Sequence, residues 1–94
     1  MSTSNPEAGD GAELDERSRC LLDFERDWWM EPGPKERLVR ERLGMSTARY
    51  HQLLNRVVDR PEALAYDPML VRRLRRLRES RRRKRFARRL GVEL

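Results

Sequence analysis

The stretch LVRERLGMSTARYHQLLNRVV, Leu38 to Val58, decides the fold. Leu38, Val39 and Leu43 fall on the inner side of a short amphipathic helix beginning at Lys35, with Glu36, Arg37, Arg40 and Glu41 on the water side. Gly44 suits the left-handed position that stops such a helix. Met45 plugs the corner, and Ser46 is a good N-cap for a second helix from Thr47 to about Asp59. Tyr50, Leu53, Leu54, Val57 and Val58 follow one another at steps of three, one, three and one, a clear inward face. A short helix, a glycine turn and a second helix held by packing are the parts of a helix-turn-helix, whose second helix can enter the major groove. The same parts also suit a plain three-helix bundle in which Gly44 is only a stop.

Working outward, Leu14, Leu21, Phe24 and Trp28 form one helical stripe, with Leu22 and Trp29 beside it, until EPGP (Glu31–Pro34) ends the helix. The adjacent tryptophans cannot both point inward, so one is expected to be partly exposed. Cys20 reads as a half-buried core residue. Downstream, Arg60-Pro61 breaks the chain, residues 61–66 fit a short helical turn, and Asp67-Pro68 opens a last helix with an N-cap and a proline at its first position. Leu70, Val71, Leu74 and Leu77 face inward. Beyond them Arg81 and Lys84 take the next core positions, so the second half of that helix should project; helical to Leu90, it would be about 35 Å long. The expectation is an all-α domain of about four helices at residues 13–77, with a disordered tail at 1–12 and a basic helical extension at 78–94.

Charge is unevenly distributed. Residues 1–34 hold nine acids and three bases, while residues 67–94 hold twelve bases and three acids, in a chain of net charge +6. Those twelve are Arg72, Arg73, Arg75, Arg76, Arg78, Arg81, Arg82, Arg83, Lys84, Arg85, Arg88 and Arg89, with Glu79 alone among them. Such a run repels itself and is best tolerated when a polyanion neutralises it. An apolar stripe for a membrane surface is nearly absent, only Phe86 and Leu90 offering one. Barely one heptad is present for a coiled coil. The N-terminus has neither the basic nor the apolar region of a secretory signal, and no apolar run approaches a membrane span. One cysteine and one histidine cannot build a disulfide or a metal site. With no nucleophile paired to a base and no glycine-rich phosphate loop, neither an enzyme nor a cofactor is expected.

The predicted outer face of the second helix carries Thr47, Ala48, Arg49, His51, Gln52 and Asn55 as base-facing candidates. Gln and Asn can pair two-pronged with adenine and Arg with guanine, and Ala can touch a thymine methyl. Ser46 and the amides at that helix start would hold phosphate, flanked by Arg40, Arg56 and Arg60, while the arginine tract adds sequence-independent affinity. His51 has an equal reading as an ordinary exposed histidine.

From LLDFERDWW (Leu21–Trp29) through YHQLLN (Tyr50–Asn55) to YDPMLVRRLR (Tyr66–Arg75), the chain resembles an actinobacterial family of small proteins with no assigned function, over roughly residues 18–91. Over Leu38–Arg56 it is also similar to bacterial helix-turn-helix regulators and to the promoter-binding region of sigma factors. Arg40 stands where that motif often has a small residue, which leaves the crossing angle of the two helices open. The resulting expectation is a cytoplasmic, nucleoid-associated or accessory transcriptional protein that binds double-stranded DNA with weak or no sequence preference and needs no small-molecule effector. Two rivals stand beside it: an accessory factor for RNA polymerase or another transcription component, and an RNA or ribosome binder.

Overall fold

Asp15 sets where the fold begins. Its carboxylate accepts the Ser18 amide at 3.1 Å and the Ser18 hydroxyl at 2.8 Å, an N-cap that satisfies donors the first turn would otherwise leave open. The computed structural model describes residues 13–91. In order it contains α1 (Glu16–Asp27), a 3-10 turn (Trp28–Met30), α2 (Lys35–Leu43), α3 (Thr47–Val57), α4 (Pro61–Tyr66) and α5 (Pro68–Leu90). The domain is all-α. The expected tail at 1–12 and the last three residues of the expected extension lie outside the described residues.

The turn between α2 and α3 forms as its residues dictate. Gly44 sits at φ 67°, ψ 31°, and its amide closes on the Arg40 carbonyl at 3.0 Å. Only glycine adopts that left-handed geometry without strain. Ser46 then caps α3 by accepting the Arg49 amide at 3.2 Å. Arg60, extended ahead of Pro61, separates α3 from α4. α5 starts on Asp67 and Pro68 and stops at Gly91, again left-handed at φ 75°.

α1 packs on α3 and α4, α2 on α3, and α5 on α4. Leu14, Leu21, Leu22, Val39, Tyr50, Leu54, Val71 and their neighbours share one core, against which Phe24, Leu43, Met45 and Leu74 rest half-buried. Tyr50 is its hub. The ring is completely buried, meets Phe24 edge-on at 5.5 Å, and its hydroxyl donates to Glu25. Glu25 also accepts Lys35 Nζ at 2.9 Å. One carboxylate therefore joins α1, α2 and α3. Burial, then the hydrogen bond and charge of Glu25, push the Tyr50 phenol well above its ordinary range.

Two expectations are corrected. Cys20 is exposed rather than half-buried. Ser18 occupies the inner position instead, where Asp15 and Arg60 satisfy its hydroxyl. Leu77 is 43% exposed rather than inward, because six-residue α4 is too short to cover α5 beyond Leu74. Of the two tryptophans, Trp28 is half-buried under Lys35, whose Nζ lies 5.1 Å from the ring centre, and Trp29 is 67% exposed. No described helix is long and apolar enough to cross a membrane.

Asp15 also makes stability depend on pH. Partial burial pushes its carboxyl up, but hydrogen bonds from Arg60 and from the Ser18 hydroxyl and amide outweigh that and hold it at about 2. A depressed folded-state pKa stabilises above the unfolded value and loses that contribution as pH falls through the folded one. Thermal melts of the wild type should therefore lose stability between about pH 4 and pH 2, and Asp15→Asn should flatten that limb while lowering the melting temperature at pH 7. The carboxylate is half exposed, so solvent screening keeps the effect modest.

Candidate nucleic-acid interface

α3 turns Ala48, Arg49, His51, Gln52 and Asn55 to the surface, with Thr47 half-exposed at the first turn. This follows from helical geometry. Once Tyr50, Leu53, Leu54 and Val57 are fixed inward, the residues between them must face out. The inward set is fixed by α1 and α2, so the outer face is held rigidly. Arg40 on α2 and Arg56 on α3 are exposed as well.

The arginine tract divides into two groups. Arg75 and Arg78 lie where α5 passes the C-terminal end of α3. Arg75 Nε donates to the Val58 carbonyl at 2.6 Å, and Arg78 donates to the Asn55 carbonyl at 3.3 Å and to both Asp59 carboxylate oxygens. Positive side chains there satisfy carbonyls that the helix leaves open and oppose its negative dipole end. The Arg78 contact holds Asp59 below the usual carboxylate range. Arg60 is likewise committed, to Asp15 at 2.6 Å and to Glu62 at 3.6 Å. Arg60, Arg75 and Arg78, all expected at phosphates, are thus engaged within the fold.

The second group faces water. Arg72, Arg73, Arg76, Arg81, Arg82, Arg83, Lys84, Arg85, Arg88 and Arg89 are all exposed. Within it, Arg82 meets a carboxylate among the described residues, Glu79 at 3.5 Å. Such an exposed pair within one helix contributes well under 1 kcal/mol and leaves the arginine available.

The two candidate surfaces meet in a notch of about 190 Å³ between α3 and the second half of α5. His51 and Asn55 come from α3, and Arg78, Arg81 and Arg85 from α5. Lys35 and Glu25 close it from α2 and α1. Sequence reasoning missed these last two, because nothing local to either residue marks a place at the foot of α3. His51 stands at 5.3 Å from the Tyr50 ring. Burial, then the charge of Lys35 and that of Arg81, push its imidazole below the ordinary value, with Glu25 opposing.

Comparison with known sequences matches residues 13–86 to a family described as a protein of unknown function, DUF3263. The chain belongs to that family. The match spans α1 to α4 and α5 as far as Phe86, so the DUF3263 region includes the notch and most of the arm. No curated protein and no solved structure matches the chain. Among the described residues, no group of three His, Cys, Asp or Glu side chains could hold a metal ion.

Proposed function

We propose that this protein binds double-stranded DNA in the bacterial cytoplasm, as a nucleoid-associated protein or an accessory transcriptional regulator. α2, the glycine turn and α3 serve as a helix-turn-helix, and α5 clamps phosphates. The observation that carries this reading is the shared notch: Arg81 and Arg85 of α5 line it together with His51 and Asn55 of α3, so both surfaces border one concavity. Gln52, Asn55, Ala48 and Arg49 supply groove contacts, and the exposed arginines of α5 supply affinity without sequence information. The resemblance of Leu38–Arg56 to bacterial helix-turn-helix domains supports the same docking.

Replacing Gln52 and Asn55 together with alanine is expected to flatten base preference. Each good two-pronged base contact discriminates by about 1–3 kcal/mol. A selection from randomised duplexes should thus lose about tenfold or more at one or two positions, while binding to bulk DNA changes little. An unchanged preference would show that α3 does not read bases.

A second reading has its own support. Trp29 and Met30 are 67% and 61% exposed. They adjoin a groove of about 380 Å³ floored by Phe24, Trp28, Leu38 and Leu43 and edged by Asp23, Asp27, Glu31 and Arg42. That surface suits an apolar segment of a protein partner such as a transcription component. Under this reading Trp29→Ala abolishes partner binding, and duplex affinity is unaffected.

A further inference from the structure

We propose that the notch between α3 and α5 is a proton-linked phosphate site, in which Arg81 and Arg85 fix a phosphoryl oxyanion and His51 takes up a proton as that anion enters. The proposal deepens the DNA reading where the anion is a backbone phosphodiester. It stands alone where the anion is a free phosphate or a polyphosphate.

The argument starts from the charges that face one another across the notch. Lys35 from α2 is neutralised by Glu25 from α1 at 2.9 Å. Arg78 from α5 is neutralised by Asp59. Arg81 and Arg85 have no carboxylate within ion-pair distance among the described residues, and Glu25 is the one acid lining the notch. Two guanidiniums therefore lack a described counter-charge in a concavity with Leu54, Val58, Leu74 and Leu77 along its wall. Apolar walls weaken solvent screening, so an anion placed there feels both charges more strongly than on an open helix face. Arginine's planar fork matches a phosphate's paired oxygens.

His51 makes the site respond to pH. Partial burial and the charges of Lys35 and Arg81 disfavour its protonated form, with Glu25 opposing. A phosphoryl group between His51 and the arginines reverses the sign of the local field. The imidazole then gains a proton and, charged, offers an additional N–H donor. Linkage requires the reciprocal effect: if the anion favours protonated His51, protonation of His51 favours the anion. Binding should tighten as pH falls through the His51 pKa. Arg40 and Arg56 stand outside this coupling, since neither lines the notch.

The chain contains a single histidine, so the imidazole proton resonances of the full-length protein report His51 without ambiguity. They would be followed from pH 5 to pH 8.5 with no added anion, with pyrophosphate, and with a random-sequence duplex, at matched ionic strength set by chloride. The expected result is a rise in the His51 midpoint with pyrophosphate and with duplex but not with chloride. Duplex affinity should be about tenfold tighter at the acid end for a rise of one pH unit, since phosphodiesters do not themselves titrate in this range. Arg81→Gln with Arg85→Gln should remove the rise while leaving the folded spectrum in place. His51→Gln should bind the duplex, whose phosphodiesters do not titrate in this range, with the same affinity at pH 6 and pH 8. A midpoint unmoved by both pyrophosphate and duplex overturns the proposal. Duplex binding that leaves the midpoint unmoved, where pyrophosphate moves it, keeps the site for a free anion and removes its part in DNA binding. A midpoint moved by pyrophosphate in a protein that binds no duplex keeps the site and removes the DNA reading.

Discussion

Replacing Arg81, Arg82, Arg83, Lys84 and Arg85 together with glutamine is expected to weaken binding to every duplex alike, on the order of 100-fold at low salt. The reason is counterion release. Each phosphate neutralised adds about −0.9 to the slope of log affinity against log salt. Five charges disposed around a helix cannot all reach one duplex; about three would do so, given that a rod presents little more than half its circumference to a partner. The slope should fall by about three, and base preference should not change, because phosphate contacts carry no sequence information. The variant should fold normally. All five residues are exposed, and none buries a side chain in the core. Binding that drops for one sequence and not for others would place these residues on bases rather than phosphates. Unchanged binding would mean that the arm is not the clamp.

Tyr50→Ala is expected to destabilise the domain by about 3–5 kcal/mol, as other deletions of a buried aromatic ring do. A domain of this size has roughly 4–12 kcal/mol in total. The loss removes the edge-on contact with Phe24 and leaves Glu25 paired with Lys35 alone. Tyr50→Phe keeps the ring and separates the two contributions. It should lose about 1.5–3 kcal/mol, the range for a hydrogen bond to a charged group. Urea unfolding followed by tryptophan fluorescence measures both. A Tyr50→Ala domain of near wild-type midpoint would mean that α1 and α3 are held by something other than this ring.

The outer face of α3 could be read from sequence because it is the complement of a strong inward pattern. Tyr50, Leu53, Leu54, Val57 and Val58 fix which way the helix faces, and Gly44 and Ser46 fix where it begins. These are local facts, set by steric limits at one residue or by a repeat over eleven. Leu77 and Cys20 misled for the opposite reason. Each has the right residue type for a core, but α4 ends too soon to cover Leu77, and on α1 the inward positions go to Ser18, Leu21 and Leu22, which leaves Cys20 at the surface. Arg75 and Arg78 are indistinguishable in sequence from Arg76 or Arg82. Only the crossing of α5 over the end of α3 gives them carbonyls to bind. The notch was illegible for the same cause, since Glu25, Lys35, His51 and Arg81 come from four helices far apart in the chain.

The central claim is that the arm and α3 act together on the double helix. The most direct test is a titration of random-sequence duplex with the full-length protein in dilute buffer and again at about 50 and about 200 mM salt, where six phosphate contacts would separate the last two affinities by about 10³. The account predicts tight binding in dilute buffer, that steep loss with salt, and weaker binding to structured RNA. No measurable affinity for duplex even in dilute buffer would contradict it.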